Sequence, residues 1–459
     1  MNENKVKIAL YGLSIETERA IKIFNEYEIV GLLDGFKQEG ELFGKPIISL
    51  ENAISKGIEK IIVVARPGSC KAIARRVGEI CNKAGIQVFD IRGKNLLTDE
   101  KDIWSYEKIV SYIEHECIKS SNSSSAIKKR LFIEKLENVS EKNAPQAVIT
   151  SAYDIGYLFC APMITDFVIW FSNYIDENEV DNIWFLARDG YLIKKLFDIA
   201  NTKESVYFLT SRTAAIRAGV RDVDDLEYVE SMKFSGTLPQ NIKERFGFTI
   251  EEKENDSFYN YSSNIISRAK KTSDGYTKYI SQKNLKEGNI TIFDFVAKGT
   301  TQYFLQRLVP NNHIKGLYFL QLEPAFMADK KLDIVPFYTE AELEKSAIFD
   351  NYYILETILT SFEPSCVEFT EQGEPVFVKE TRTEEAIECV KLMQQGIIDY
   401  FTRYISEIKE ADKNEYIDKS FDECFLKIIH NVKIEDAQFL NLIVEDPFFN
   451  RMTSITDVL

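Results

Sequence analysis

The stretch Asn182-Ile-Trp-Phe-Leu-Ala-Arg-Asp-Gly-Tyr-Leu-Ile193 decides how this chain is read. It opens as an apolar run of strand length and breaks at Arg188-Asp189-Gly190. An amphipathic pattern of helical period follows. Strand, acidic loop and helix in that order form one unit of a parallel α/β sheet, and such sheets hold ligands at the carboxyl ends of their strands. The loop thus puts Asp189 where ligand chemistry is expected.

Working outward, residues 149–380 read as one α/β unit. Asp154-Ile-Gly-Tyr-Leu-Phe-Cys-Ala-Pro162 leads into an apolar helix from Ile164 to Tyr174. Val206-Tyr-Phe-Leu-Thr-Ser-Arg212 is a second strand with a polar end. Residues 222–286 are polar, aromatic and mostly helical in pattern, as an inserted cap would be. Asn289-Ile-Thr-Ile-Phe-Asp294 is a third strand, and Gly316-Leu-Tyr-Phe-Leu320 a fourth. The first ends at Asp189, the second at Thr210-Ser211-Arg212, and the third at Asp294, followed by Lys298-Gly299-Thr300. In a parallel sheet those ends share one edge, so the loops are expected to converge.

Each residue type has a use there. Asp189 and Asp294 are hard oxygen ligands suited to Mg²⁺, which takes one or two carboxylates plus phosphate oxygens and water. Thr210 or Ser211 can hydrogen-bond a phosphate oxygen, although both residue types also cap helices. Arg212 offers a planar fork to a phosphate or carboxylate. Lys298-Gly299-Thr300 is a small-residue turn opening a helix, whose N–H groups can cradle an anion while Lys298 neutralises charge. Plainer roles compete: a turn with a local ion pair at Arg188-Asp189, a strand-end cap at Asp294, an ordinary turn at Lys298-Gly299.

The segment from 183 to 330 resembles the haloacid dehalogenase superfamily, whose first motif is a hydrophobic run followed by Asp-x-Asp-Gly-Thr-Leu. Asp189, Gly190 and Leu192 match that motif, but Ala187 stands where the superfamily has its nucleophilic Asp. The superfamily's Lys precedes the third strand, whereas Lys298 follows it; Lys270, Lys271 and Lys278 are the substitutes. The chain is more similar still to a group of such proteins associated with bacterial capsule, surface-polysaccharide and flagellin-glycan biosynthesis. Gly156-Tyr-Leu-Phe-Cys-Ala-Pro162, Trp170, Phe185-Leu-Ala-Arg-Asp-Gly190, Thr210-Ser-Arg212 and Lys298-Gly-Thr-Thr-Gln302 carry that resemblance.

The resemblance implies Mg²⁺-dependent phosphoryl transfer or phosphate-ester hydrolysis on a sugar or glycan intermediate. A phosphorylated sugar or nucleotide sugar would be the substrate, and glycan-assembly enzymes the partners. A methyl group cannot attack phosphorus, so Asp189 would act as nucleophile or acid/base, with Asp294 as metal ligand. The alternative is a non-catalytic module that keeps a phosphosugar or nucleotide-sugar pocket and organises glycan enzymes. A third reading is a glycosyltransferase partner with transfer activity of its own.

Residues 5–100 alternate strand and helix, with strands at Val6–Tyr11, Ile29–Asp34, Lys60–Ala65 and Ile86–Asp90. That pattern predicts a doubly wound parallel sheet. Ile8-Ala-Leu-Tyr-Gly12, Val30-Gly-Leu-Leu-Asp34 and Gly44-Lys-Pro-Ile47 resemble the Rossmann-like N-terminal domains of sugar-nucleotide enzymes and sugar acetyltransferases. Gly12 and Asp34 are the ligand candidates, with Asp34 reading equally as the end of a strand in a turn. A dinucleotide loop needs glycines around a pyrophosphate, and Gly12-Leu-Ser-Ile-Glu-Thr17 has one glycine and an acid. An NAD-type dinucleotide is therefore not expected.

Residues 101–148 read as a linker and connecting helices. Lys119-Ser-Ser-Asn-Ser-Ser-Ser125 is expected to form a flexible link, followed by a charged helix over 126–138. Residues 381–459 read as a helical region, with apolar positions between Glu384 and Ile408 at steps of three and four. The expected fold class is α/β: two Rossmann-like parallel-sheet domains, the central one carrying a helical insertion, plus a C-terminal helical region.

A net charge of −16 repels nucleic-acid phosphates and anionic lipid, so neither is an expected partner. No apolar run reaches the roughly 18 residues that a membrane span needs; Ala161 to Ile175 comes nearest, interrupted by Asp166. The N-terminus lacks the apolar segment of a signal peptide. Seven cysteines without Cys-x-x-Cys spacing read as buried, reduced thiols of a cytoplasmic protein. The three histidines sit at no ligand or triad spacing, which argues against a zinc or His-based hydrolase. Phe258-Tyr-Asn-Tyr261 reads as cap packing or as a sugar-binding groove. Oligomeric state has no signature in the sequence.

Overall fold

Short apolar runs become parallel strands in both parts of the chain, and the periodic stretches between them become the helices that cover the sheets. The computed structural model describes residues 5–65, 67–97, 102–117, 123–251, 257–283, 288–322, 324–339, 347–408, 416–446 and 448–459. The chain divides into two compact units, Met1–Asp102 with Thr453–Leu459, and Ile103–Met452.

The first unit is built from β1 (Lys7–Tyr11), α1 (Ile15–Ile23), β2 (Glu28–Leu33), β3 (Lys60–Val63), α2 (Pro67–Ala84) and β4 (Gln87–Asp90). The strands run parallel in the order β2-β1-β3-β4. Alternation along each strand gives the sheet two apolar faces. Ala9, Leu33, Ile61 and Val63 pack on one, Ile8, Leu10, Leu32 and Ile62 on the other. The last residues of the chain belong to this unit: the Arg75 guanidinium donates to the Thr456 carbonyl at 2.8 Å.

The second unit is organised by a five-stranded sheet. The elements around it include, in chain order, α3 (Ser123–Val139), α4 (Ala161–Glu177), β5 (Asn182–Leu186), α5 (Gly190–Ala200), β6 (Val206–Phe208) and α6 (Arg212–Gly219). The insertion follows as α7 (Val223–Ser231), α8 (Leu238–Phe246) and α9 (Ser262–Ser281). Then come β7 (Ile290–Ala297), α10 (Thr300–Gln306), β8 (Ile314–Gln321), β9 (Asp333–Tyr338), α11 (Ala347–Leu359), α12 (Glu384–Glu407) and α13 (Lys419–Ile429). The sheet order is β9-β8-β7-β5-β6, parallel throughout. From β5 the chain steps outward to β6, then returns to the other side of β5 as β7. The crevice between the carboxyl ends of β5 and β7 is thus a topological switch point, the place where open α/β sheets bind ligands.

β9 adds a strand that the sequence reading did not contain. It carries Pro336 in mid-run, and proline is tolerated because β9 is an edge strand. One face of the sheet packs on α4, where Phe167 meets Phe293, Phe319 and Phe337 with ring centroids 5.3, 5.4 and 5.7 Å apart. On the other face Trp184 stacks on Phe208 at 4.1 Å. The insertion helices form a core of their own from Leu226, Ile242, Phe246 and Ile265, packed with Ile216 of α6 and Phe304 of α10.

Several expectations need correction. Residues 103–452 are one compact unit, so the linker expected at 101–148 and the helical region expected from 381 are not separate bodies. Val148–Ile149 pairs in parallel with Lys433–Ile434, stitching the two segments together. Residues 119–122 of the serine run lie outside the described residues. Ser124 and Ser125, expected in a flexible link, are buried in α3 because each hydroxyl has a partner, Tyr404 and Asp418 respectively. The cysteines are not all thiols: Cys117 and Cys424 form a disulfide with Cα atoms 5.9 Å apart, and the other five are buried thiols. The helical run Ala152–Glu177 is, by length and composition, long and apolar enough to cross a membrane, but 94% of its apolar window is buried inside the protein.

Asp166 on α4 explains how a charge sits in that apolar run. It pairs with the Lys128 ammonium of α3, and both side chains are fully buried. Asp422 of α13 lies 3.3 Å from the same ammonium and accepts the Tyr338 hydroxyl. The Asp418 carbonyl takes a further bond from Lys128 at 3.3 Å. Burial opposes the ammonium, but Asp166 and Asp422 outweigh it and hold Lys128 above its ordinary range.

Candidate active site

Loops after β5, β6 and within the end of β7 open on one cavity of about 270 Å³. The helices α5, α6 and α10 all begin at its wall, so their partial positive ends face the same space. Convergence of the three loops follows from parallel pairing: Phe293 of β7 lies opposite Phe185 of β5, and Leu186 lies opposite Phe208 of β6.

Gly190 is required by close approach. A Cβ there would lie 2.7 Å from the Phe185 carbonyl carbon and 2.9 Å from its Cβ, so only glycine lets α5 start directly against β5. Asp189 occupies the cap position of α5, yet its side chain makes no capping bond. Its carboxylate lines the cavity instead. Burial pushes its pKa up to about 6, with Arg188 and Arg212 pulling it down and Asp446 adding to the rise. Ala187 lines the same wall, and its N–H donates to the Phe208 carbonyl at 3.0 Å.

Asp294 does not end its strand, as the sequence reading had it; β7 continues to Ala297. Its Oδ1 accepts the Phe295 N–H at 2.9 Å, leaving the second oxygen for the cavity. Burial and then the neighbouring Asp189 raise its pKa to about 7.

The anion-binding candidates divide by what they already do. Ser211 caps α6, its hydroxyl accepting the Ala214 N–H at 3.0 Å. Thr210 is buried and accepts the Tyr276 hydroxyl, so its own proton remains to be given. The Arg212 guanidinium stands 3.6 Å from Asp446 and over the rings of Phe448 and Phe449. Lys298 lines the cavity with its ammonium 5.1 Å from the Phe449 ring centre. Gly299 has φ +78°, the left-handed region, and a Cβ there would meet Leu332 at 2.6 Å. Thr300 also lines the cavity, its hydroxyl 2.8 Å from that of Tyr228. Lys270, Lys271 and Lys278 sit on α9, and none lines the cavity. Phe258 and Tyr261 belong to the core of the insertion.

Glu356, Arg188, Asp446 and the pair Glu380–Arg382 also line the cavity, and the sequence reading had given none of them a role at the site. Glu356 projects from α11, and burial, then Asp189 and Asp446, push its pKa up to about 8. An acid set between Ile354-Leu355 and Ile358-Leu359 was the available signal, since an ionisable group in an apolar helix stretch needs a reason. Arg382 donates to the carbonyls of Ser361, Phe362 and Glu363 at 2.8, 3.2 and 3.1 Å, which fixes the chain leaving α11. It also pairs with Glu380 at 2.8 Å and holds that carboxylate down at about 2.

Among the described residues, no donor hydrogen-bonds the side chain of Asp189 or Glu356, and no acceptor hydrogen-bonds the guanidinium of Arg188. Charged groups that face one cavity without a hydrogen-bond partner are available to a ligand there. Among the described residues no group of three or more His, Cys, Asp or Glu side chains is placed to hold a metal ion. Asp189 and Asp294 remain as a two-carboxylate set, the kind Mg²⁺ takes when phosphate and water complete its shell.

In the first unit, the Gly12 N–H donates to the Leu33 carbonyl at 2.9 Å, and a Cβ on Gly12 would lie 2.5 Å from the Val64 carbonyl oxygen. Asp34 closes the turn after β2, its Oδ1 accepting the N–H groups of Phe36 and Lys37 at 3.0 and 3.2 Å. Both candidates thus have structural duties. No family model matches the chain, and no curated protein matches it.

Proposed function

We propose that the second unit performs phosphoryl transfer or phosphate-ester hydrolysis on a sugar or glycan intermediate. The observation that carries this reading is the set of charges without a hydrogen-bond partner among the described residues, Asp189, Glu356 and Arg188, at a switch point onto which three helix N-termini open. Helix ends, Arg212 and Lys298 suit a phosphate dianion. The resemblance to haloacid dehalogenase-type proteins of surface-glycan biosynthesis supplies the substrate class.

Ala187 closes the route through an aspartyl phosphate at its own position. Asp189 is the one unpaired carboxylate of the β5 loop, and with a pKa near 6 it is ionised at neutral pH. It takes the proton of an attacking water or acceptor hydroxyl, or attacks phosphorus itself. The Thr210 hydroxyl and the N–H groups opening α6 and α10 hold the non-bridging oxygens, and Arg212 and Lys298 balance their charge. The donor set fits Mg²⁺: Asp294 is raised partly by Asp189, a repulsion that a cation between hard oxygens relieves. Bound there, Mg²⁺ would neutralise charge developing on the phosphoryl oxygens.

The test is phosphorus NMR on the purified protein with Mg²⁺ and a panel of sugar phosphates and nucleotide sugars, beside D189N. New signals that vanish in D189N support the reading; equal turnover by D189N overturns it. Ala187 favours one rival, a binding module that organises glycan-assembly enzymes. That rival requires ligand line-broadening without turnover in both proteins.

A further inference from the structure

The phosphate reading gives Thr210, Arg212 and Lys298 a role and leaves Glu356 without one. Glu356 lines the same cavity from α11, half-buried and without a hydrogen-bond partner among the described residues. Just past the end of α11, Thr360 also lines the cavity, and its hydroxyl is buried with no partner among the described residues. Ser365 and Thr381 add hydroxyls, and Val367 and Val378 add apolar surface. A wall that mixes hydrogen-bonding groups with aliphatic patches matches a sugar ring, which carries hydroxyls at its edge and C–H groups on its faces.

Size narrows the ligand further. A volume of about 270 Å³ is more than a phosphoryl group fills. It lies just below the roughly 300–1,000 Å³ of sites that enclose drug-sized ligands. A single ring bearing one phosphate is of a size that this space takes.

We infer that Glu356 is the specificity-determining residue of this cavity, hydrogen-bonding ring hydroxyls of a hexose monophosphate whose phosphate sits at the strand ends. The inference rests on the phosphate reading above and deepens it. A carboxyl pairs with hydroxyls whether ionised or neutral, so the role does not depend on its protonation state.

The experiment is isothermal titration calorimetry on the full chain with inorganic phosphate and with hexose 1- and 6-phosphates. The measured quantity is the ratio of hexose-phosphate affinity to phosphate affinity. Leucine removes the hydrogen-bonding group at similar volume, so E356L is expected to cut that ratio about 10- to 100-fold, while E356Q keeps it within about threefold. If E356L fails to fold, E356D withdraws the carboxyl by one methylene and reads the same ratio. A wild-type ratio near one, or a ratio that E356L leaves intact, overturns the inference. The parent reading fails separately. Glu356-dependent hexose-phosphate binding without turnover in the NMR assay keeps the subsite and rejects phosphoryl transfer. Binding of neither phosphate nor hexose phosphate rejects both.

Discussion

Two carboxylate clusters in the second unit face opposite ways in the same electrostatic problem. Asp166 and Asp422 are fully buried, yet each is paired with Lys128, and Asp422 also accepts the Tyr338 hydroxyl. Asp189 and Glu356 are less enclosed, and among the described residues neither has a hydrogen bond. The first cluster joins α3, α4 and α13 in the interior. The second spends no charge on joining elements. Burial of charge therefore does not by itself mark a functional site; what marks it is charge left unsatisfied where solvent and ligand can enter.

The sharpest way to break this contrast is to remove one partner from each cluster. In the buried cluster, K128M strands two carboxylates without their cation and is expected to cost about 3–5 kcal/mol, read by urea denaturation. A loss below about 1 kcal/mol would show that the cluster is not held by its ion pairs. In the cavity, D189N removes a charge that no described side chain hydrogen-bonds. Stability is expected to hold or rise, while turnover falls about 10²- to 10⁴-fold if Asp189 moves the proton. A D189N protein as destabilised as K128M would erase the distinction.

The pH dependence sharpens it. The Asp294 pKa is raised from 3.8 to about 7 in the folded protein. The folded state then holds the proton more tightly than the unfolded chain does. Its stabilising contribution is complete below the ordinary value and is lost as pH rises toward 7. Comparing wild type with D294N by thermal denaturation, the difference should move in the variant's favour from pH 4 to 7 and level off above. A difference independent of pH would mean that Asp294 is already paired. The smallest expected effect separates capping from catalysis at Ser211. Loss of its cap in S211A should cost about 1 kcal/mol, with turnover changed less than by D189N.

Much of this was legible before folding. Apolar runs bounded by Gly and Asp located β1 to β8, because a strand buried on both faces has to be continuous and apolar. Asp189, Thr210 and Asp294 were legible because strand-end loops of a parallel sheet must share an edge. β9 was not, since Pro336 breaks the pattern and only an edge position excuses it. Ser124 and Ser125 were misread because the partners that make their burial tolerable lie 280 and 293 residues away.

The sequence by itself determined the local units: which stretches form strands, which loops carry acids and bases, and that Ala187 cannot attack phosphorus. Tertiary structure alone decided which charges meet. Glu356, Asp446 and Arg382 reach the cavity from segments that follow the sheet in the chain, and Lys128 reaches Asp166 from a segment that precedes it. Pairing across such separations leaves no trace in local periodicity. It is set by how helices pack on the sheet, and that packing decided which carboxylates are neutralised and which stay open to a ligand.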